Sequence, residues 1–408
     1  MARLTRRDAI KATAASAVFG TFVISGTKSS GNVIGANDTI HVGVAGIHGR
    51  GKNHISEFNR QGKVQVTHLI DPDSRLFGGK TEKSSPKCFQ DIRQALDDKE
   101  LDAVSIATCN HWHSLITVWA CQAGKDVYVE KPCSQNIFEG RQCVEAARKY
   151  NRIVQHGTQR RSGGTGGSLA ANASGKNGKL THVRGYSPKG RGSIGSKPPK
   201  APPSELDFNL WLGPAPQQPY HENLVHYNWH WFWDMGNGDI GNFGVHEMDE
   251  RRWVIPNATL PKKVYSFGGR FLWDDQGQTP NLLMSVYDFG DVKLIFETSN
   301  MKNFNRSRPR TVFDKSATAQ PIEIKHSPDV KNPASGGGPG GNIFENFIAC
   351  VRSRKPEELD AHIEEGHYSS ALCHLGNISY RLGETAGFGQ KPSELGSDPE
   401  VEATWRAF

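Results

Sequence analysis

The stretch that indicates the fold is IHVGVAGIHGRG at residues 40–51, which is followed by the apolar run VQVTHLI at residues 64–70 and then by Asp71. A β-branched run ends in a glycine-rich turn, a segment of helical length follows, and a second apolar run ends in a carboxylate. This order is typical of a dinucleotide-binding unit, because the glycines allow a tight bend, close approach to a pyrophosphate and close helix packing. We expect Gly46 and Gly51 to fill the first and third glycine places.

The middle glycine place of this turn is occupied by His48, and Gly49 supplies flexibility one residue later. We include His48, Gly49 and Arg50 with the two outer glycines as candidate cofactor-binding residues. Asp71 follows Gly51 by 20 residues, at the end of the second predicted strand. A carboxylate at this place accepts hydrogen bonds from ribose hydroxyls and repels a 2′-phosphate, so the sequence predicts NAD rather than NADP.

Strand and helix patterns alternate up to residue 157 and predict an N-terminal Rossmann domain over residues 38–157. Further helices are predicted over residues 49–60, 91–96, 115–123 and 138–150, and further strands over residues 103–107, 127–129 and 153–154. Such alternation favours a parallel sheet with right-handed crossovers.

The character of the chain changes after residue 157 and predicts a second α/β domain over residues 158–385. Residues 163–178 are rich in small residues, and the proline-rich residues 187–203 predict a loop. Alternating patterns over residues 264–267, 282–289 and 292–297 predict a mainly antiparallel open sheet. A flexible glycine-rich turn is predicted over residues 336–341, helices over residues 344–352 and 364–382, and a tail that packs back over residues 386–408.

The run DVYV at residues 126–129 leads directly into Glu130, Lys131 and Pro132. Ligands of open parallel sheets bind at the carboxyl ends of the strands, so this lysine is well placed to meet both a cofactor and a substrate. The preceding strand leads into TCNHWH at residues 108–113, and we expect its residues to lie along the cofactor. The candidates from these two segments are Thr108, Asn110, His111, His113, Glu130 and Lys131.

His111 and His113 are separated by one residue, a spacing that also suits a metal. No carboxylate or cysteine with zinc spacing accompanies them, so we predict no metal site. The seven cysteines contain no Cys-x-x-Cys pair, which favours scattered apolar residues over a disulfide framework. The net charge of +7 comes partly from the first residues and from residues 189–200, without a basic helix interleaved with aromatic residues. We therefore expect no nucleic-acid partner.

The first 30 residues are typical of a twin-arginine export signal, with Arg6 and Arg7 followed by an uncharged stretch over residues 12–27. That stretch is too short and too rich in small residues for a transmembrane helix. The signal predicts export of a folded protein to the periplasm, a route that suits an enzyme loaded with its cofactor in the cytoplasm.

Taken in order, the glycine-rich turn, Asp71, the segment at residues 107–113, Glu130-Lys131-Pro132 and GNFGVH at residues 241–246 resemble the Gfo/Idh/MocA oxidoreductase family. The first 30 residues and the segment YNWHWFW at residues 227–233 are similar to the exported bacterial branch of this family. The resemblance implies a Rossmann domain, an α/β domain that supports homo-oligomer contacts, bound NAD(P), and sugar or cyclitol substrates. It also implies that Lys131 orients the substrate and that His246 is catalytic.

Oxidation of a secondary alcohol requires a base for the hydroxyl proton, for which histidine is suited, and a cation that stabilises the developing alkoxide. We therefore expect an NAD-dependent sugar oxidoreductase with Lys131, His246 and Asn242 as catalytic candidates; Asn242 stands where the family often has aspartate. The substrate-binding candidates are Arg160, Trp231, Trp233, Asp239 and His246. Two alternatives remain open: a glycosidase that uses bound NAD transiently, and a non-catalytic binding protein on the same fold.

Overall fold

The structure of the protein, a computed structural model, describes residues 38–78, 85–163, 166–302, 308–317, 319–325, 338–387 and 389–408. The predicted export signal lies outside these ranges, and so do Gly336 and Gly337 of the predicted glycine-rich turn. Within them, no helix is both long and apolar enough to cross a membrane.

The N-terminal domain is built on a six-stranded parallel sheet in the order β3-β2-β1-β4-β5-β6. Its strands are β1 (Ile40–Ala45), β2 (Val64–Ile70), β3 (Lys87–Phe89), β4 (Ala103–Ile106), β5 (Asp126–Val129) and β6 (Val154–His156). Its helices are α1 (Arg50–Asn59), α2 (Ile92–Leu96), α3 (Asn110–Gln122) and α4 (Ile137–Tyr150). The strand order changes direction beside β1, the position at which such sheets bind nucleotides. The predicted Rossmann architecture is confirmed.

One predicted boundary in this domain is wrong. Helix α3 begins at Asn110 and not near residue 115, so residues 110–113 form its first turn. The start was hard to recognise because the residue before it, Cys109, makes no side-chain capping hydrogen bond, whereas Ser, Thr, Asp or Asn usually marks a helix start. The helix N-terminus therefore comes directly out of the end of β4.

The C-terminal domain contains a five-stranded sheet in the order β11-β7-β10-β9-β8. Its strands are β7 (Lys179–Pro188), β8 (Lys263–Gly269), β9 (Leu282–Asp288), β10 (Lys293–Ser299) and β11 (Thr311–Asp314). Strands β7 and β10 are parallel, and the other pairs are antiparallel. The predicted mainly antiparallel sheet is confirmed, but its longest strand, β7, was not predicted. That strand contains buried Arg184, which pairs with Glu400, and this charge obscures the apolar alternation.

In the parts of the chain that the structure describes, seven helices accompany this sheet or link it to the first domain. They are α5 (Gly166–Ala173), α6 (Phe208–Leu212), α7 (Gly238–Asn242), α8 (Gly244–Trp253), α9 (Ile343–Ser353), α10 (Ile363–Leu382) and α11 (Pro399–Ala407). Residues of α8 and α10 pack against one face of the sheet. On the other face, Val401 and Trp405 of α11 pack with Val286 and Ile295.

Helix α9 returns from the second half of the chain to the first sheet. Its Phe344 stacks on Tyr128 of β5 with ring centroids 4.6 Å apart, and Phe347 joins the same cluster as Ile40 and Phe58. The side chain of Asn342 caps the helix by accepting hydrogen bonds from the backbone N–H groups of residues 344 and 345. The core of the N-terminal domain thus includes a helix that follows the second sheet in sequence.

Candidate active site

The glycine-rich turn has no space for larger residues at two positions. Gly46 has φ +82°, and a Cβ there would lie 2.6 Å from the carbonyl oxygen of Ala107. A Cβ on Gly51 would lie 1.9 Å from the carbonyl oxygen of Gly46, because α1 packs directly on the turn. A Cβ on Gly49 would meet no atom within 4 Å, so the backbone is open towards the cleft at that residue. This arrangement fits a turn that a pyrophosphate approaches closely.

Asp71 lies at the carboxyl end of β2 and faces the same cleft. Its two carboxylate oxygens accept hydrogen bonds from the backbone N–H groups of Ile47 and Asp73, each at 3.0 Å. Burial raises the pKa of Asp71, and the two hydrogen bonds lower it; burial has the larger effect, so the pKa is about 6. Each oxygen keeps a lone pair for a further donor such as a ribose hydroxyl.

One cleft, with an empty volume of about 1300 Å³ that includes its open mouth, joins the turn, Asp71 and the end of β5. It brings together most of the residues that the sequence predicted for the cofactor and the reaction. Those that line it are Gly46, His48, Gly49, Arg50, Asp71, Thr108, Asn110, His113, Glu130, Lys131 and Asn242. The cleft runs from the nucleotide turn of the first domain to the α7 helix of the second.

Glu130 is fixed in position by donors that converge on one oxygen. Its Oε1 accepts hydrogen bonds from Arg50 Nε at 2.9 Å, His54 Nε2 at 3.1 Å and Gln159 Nε2 at 2.9 Å. Burial alone would raise the pKa of Glu130, but His54, Lys131 and Arg50 together hold it well below its usual range. Its Oε2 accepts the backbone N–H of Lys131 at 3.2 Å. The carboxylate therefore orients the lysine that follows it.

The Lys131 side chain crosses from the first domain to the second. Its Nζ donates to the backbone carbonyl oxygen of Asn242 at 2.8 Å and lies 3.4 Å from Asn242 Oδ1. Burial lowers the pKa of Lys131, partly offset by the negative charge of Glu130. Among the described residues, the hydrogen-bond partners of this amine are two uncharged oxygen atoms of Asn242. The amine can therefore turn to a negative charge that develops nearby.

The residues predicted to bind substrate are not among the described residues that line the cleft. Arg160 forms ion pairs with Glu247 and Glu250, at 3.4 and 3.2 Å. Asp239 is buried, where it pairs with Arg191 at 2.8 Å. Trp233 contacts Tyr380 and Arg381 on the side of α10.

His246 lies in the first turn of α8, four residues after Asn242, and likewise does not line the cleft in the described part of the chain. Its Nδ1 is buried and has no hydrogen-bond partner there. Burial, assisted by the charge of Lys131, lowers the pKa of His246 to about 3. The ring is therefore neutral at pH 7, and the positive charge of Lys131 contributes to this lowering of its pKa.

Two further histidines bind backbone oxygens. His111 Nε2 lies 3.1 Å from the carbonyl oxygen of Trp211, and His111 is absent from the described cleft lining. The ring nitrogens of His113 lie 2.6 Å from Pro132 O and 3.0 Å from Thr108 O. No group of three or more potential metal ligands occurs within the described ranges.

The aromatic run contributes different residues from those the sequence suggested. Trp231 does not line the cleft in the described part of the chain: residues 228–231 form a 3-10 helix, so alternate side chains do not share a face. The structure instead brings His226, Tyr227, Trp229 and His230 to the cleft. His230 Nδ1 donates to the Tyr227 carbonyl oxygen at 2.5 Å, which leaves Nε2 as an acceptor. Clustering of histidine with aromatic residues was the signal available in the sequence.

Sequence comparison relates both halves of the chain to one family of oxidoreductases. Residues 40–158 match the Gfo/Idh/MocA oxidoreductase family with its NAD-binding Rossmann fold. Residues 180–405 match the C-terminal α/β domain of the same oxidoreductase family. The second match alone covers more than half of the 408 residues.

Among curated relatives, an inositol 2-dehydrogenase of Leifsonia xyli subsp. xyli is 31% identical over 124 residues, which are 30% of this chain and 37% of that protein. A glycosyl hydrolase family 109 protein of Shewanella pealeana is 26% identical over 135 residues, 31% of this chain and 30% of that protein. The chain thus aligns with only about a third of the length of these curated relatives.

Among solved structures, the WlbA dehydrogenase of Bordetella pertussis in complex with NADH and UDP-GlcNAcA shares the fold. It has a TM-score of 0.60 and 18% identity over 85% of this chain and 98% of that chain. The two domain matches, the strand order and the glycine-rich turn agree, and the protein belongs to the Gfo/Idh/MocA family of oxidoreductases, with an NAD-binding Rossmann domain followed by the family's C-terminal α/β domain.

Proposed function

We propose that this protein is an NAD-dependent oxidoreductase that acts on a secondary hydroxyl of a sugar or sugar derivative. The observation that carries the proposal is the placement of the Lys131 amine in the same cleft as the glycine-rich turn and Asp71, at the junction of the two domains. When bound there, NAD supplies a hydride acceptor.

In the proposed reaction, Lys131 binds the substrate hydroxyl oxygen and stabilises the negative charge that develops on it. His246 is the proposed general base that accepts the hydroxyl proton, because it stands four residues after Asn242 in the family's motif. Burial lowers its pKa to about 3, so the ring is neutral at pH 7. Asn242 positions the substrate through its side-chain amide and accepts a hydrogen bond from the Lys131 amine with its backbone carbonyl oxygen.

His230 is the competing base, since it lines the cleft and its Nε2 is an acceptor. His246→Gln and His230→Gln separate the two roles. We expect His246→Gln to lower kcat by about 10² to 10⁴ while the melting temperature stays unchanged. Full activity of His246→Gln with loss of activity in His230→Gln would transfer the role to His230.

Asp71 supports a preference for NAD over NADP, because its carboxylate opposes a 2′-phosphate. We further propose export by the twin-arginine route to the periplasm, on the strength of Arg6, Arg7 and the uncharged stretch after them. A homo-oligomer is proposed from the family's use of its open sheet.

A second candidate activity is glycoside cleavage that uses bound NAD transiently, with no net redox change. The similarity to a glycosyl hydrolase family 109 protein supports this second candidate. The test is a panel of free sugars, cyclitols and aryl glycosides, with NADH absorbance and released aglycone measured in parallel. Net NADH formation supports the dehydrogenase, aglycone release without net NADH supports the glycosidase, and the absence of both with cofactor bound would contradict the proposed catalysis.

A further inference from the structure

A segment of the second domain, residues 203–232, crosses over the nucleotide-binding edge of the first domain. Hydrogen bonds hold it at three places: Asp207 N donates to Pro72 O at 2.9 Å, Ser74 N donates to Glu205 O at 3.0 Å, and Trp112 Nε1 donates to Trp211 O at 3.1 Å. We call residues 203–232 the crossing segment. It has its own apolar cluster, formed with neighbouring residues, whose buried members are Leu206, Trp211, Leu212, Ala215, Tyr220, Leu224, Trp229, Phe232 and Met235. The segment is therefore a packed, hydrogen-bonded part of the cleft wall.

The crossing segment meets the glycine-rich turn through a pair of stacked histidines. The rings of His48 and His226 have centroids 4.3 Å apart and an interplanar angle of 11°. Both residues line the cleft, with His48 exposed at its mouth and His226 half-buried. His48 occupies the turn position where a glycine would leave this space open.

His226 is anchored on the first domain as well as stacked there. Its Nε2 donates to Asp73 Oδ2 at 2.9 Å. The Asp73 carboxylate is buried and also accepts Arg75 Nε at 2.7 Å and Arg75 Nη2 at 2.5 Å. Since Asp73 comes two residues after Asp71, the anchor lies at the ribose end of the cleft and the stack lies at the pyrophosphate turn.

We propose that His226 and His48 form a clasp across the nucleotide-binding turn that retains the bound dinucleotide through turnover. Opening the cleft at the turn requires the rings to separate and the His226–Asp73 hydrogen bond to break. The clasp slows cofactor release without taking part in hydride or proton transfer. The proposal depends on dinucleotide binding by the N-terminal domain and not on the proposed reaction with sugars.

The test is the rate at which NADH leaves the purified full-length protein, followed by loss of NADH fluorescence when excess NAD is added. We expect His226→Ala and His48→Gly each to increase the release rate about tenfold, which corresponds to about 1.4 kcal/mol. The double variant should release no faster than the faster single variant, because the two residues act as one contact. His41→Ala is the matched control, since that ring lies 3.0 Å from Glu100 O at the amino end of β1, opposite the strand ends that form the cleft; its release rate should equal that of the native protein.

A native release rate in His226→Ala would overturn the proposal. If His226→Ala does not fold, His48→Gly decides the question, because His48 is exposed and its replacement leaves the second domain unchanged; a native release rate there would also overturn it. The measurement uses no substrate. Failure of the clasp and failure of the proposed sugar chemistry are therefore distinguishable.

Discussion

The Nζ of Lys131 donates to the backbone carbonyl oxygen of Asn242 at 2.8 Å and thereby joins the end of β5 in the first domain to the end of α7 in the second. A side chain that must reach across two domains is sensitive to how they are packed. The same contact places the amine beside the cleft that carries the nucleotide turn, so the packing of the domains assembles the proposed reacting centre.

Replacement of Lys131 by methionine should lower turnover strongly and preserve folding. Methionine keeps a long apolar stem but loses the charge that stabilises a developing alkoxide, so we expect kcat to fall by about 10² to 10³. Lys52→Met is the matched control, because Lys52 is exposed on α1. Turnover and melting temperature of the three proteins check this prediction. Activity of Lys131→Met close to that of the control would remove Lys131 from the mechanism.

Replacement of Asn242 by aspartate should extend activity to higher pH. In the native protein burial lowers the pKa of Lys131, so an ammonium needed for catalysis is lost as pH rises through that lowered value. A carboxylate at residue 242 favours the charged amine and raises its pKa. The alkaline limb of the kcat/KM profile should therefore move upward in Asn242→Asp, whereas Asn242→Ala should lower activity without moving the limb. Superimposable profiles for the native and aspartate proteins would place residue 242 outside the reacting centre.

The affinity for NAD should fall in acid because of Asp71. Its pKa is raised to about 6 by burial, so the carboxylate that accepts ribose hydroxyls takes up a proton as pH falls through that value. Asp71→Asn should bind NAD more weakly, lose this pH dependence and discriminate less against NADP. Calorimetric titrations between about pH 5 and 8 measure all three effects. Tighter binding of NADP than of NAD by the native protein would contradict the assignment.

Loss of the Asp249 carboxylate should destabilise the protein strongly. Both Asp249 and Arg161 are buried, and the arginine donates two hydrogen bonds at 2.8 and 2.7 Å. Burial alone would raise the pKa of Asp249, but Arg161 lowers it to about 2, so the stabilisation is present above pH 4 or so and is lost as pH falls towards 2. Asp249→Ala removes two hydrogen bonds from the buried Arg161 and leaves it, within the described residues, only its longer ion pair with Glu365, which Arg252 shares. It should lower the free energy of unfolding by about 3 kcal/mol, the low end of the range for breaking a buried ion pair.

Asp291→Ala is the matched control for that experiment, because Asp291 is exposed and pairs with Lys179 on the surface. Its effect on the free energy of unfolding should stay below about 1 kcal/mol. Urea titrations at neutral pH give both values. Equal losses in the two variants would show that burial of the Arg161–Asp249 pair does not strengthen its contribution.

Local patterns predicted most elements of the first domain because these are specified over short stretches, although β3 was not predicted and α3 begins earlier than expected. Strands β1 and β2 have the predicted limits, and the turn between them requires glycine at Gly46 and Gly51. Strand β7 was missed because Arg184 finds its partner Glu400 only in the distant tail. Residues 228–231 form a 3-10 helix, which the sequence pattern did not predict.

The sequence by itself determined the Rossmann domain, the nucleotide turn, the carboxylate of Asp71 and the lysine at the end of β5, since the positions of these strands and of the turn follow from hydrophobic periodicity and glycine placement. Only the tertiary structure decided which residues of the second domain reach the cleft. Asn242, His226 and His230 line it, whereas Asp239 turns to Arg191 and is buried there. The reason is physical: a polar side chain near a domain junction takes the partner that best offsets its desolvation, and that partner is remote in sequence.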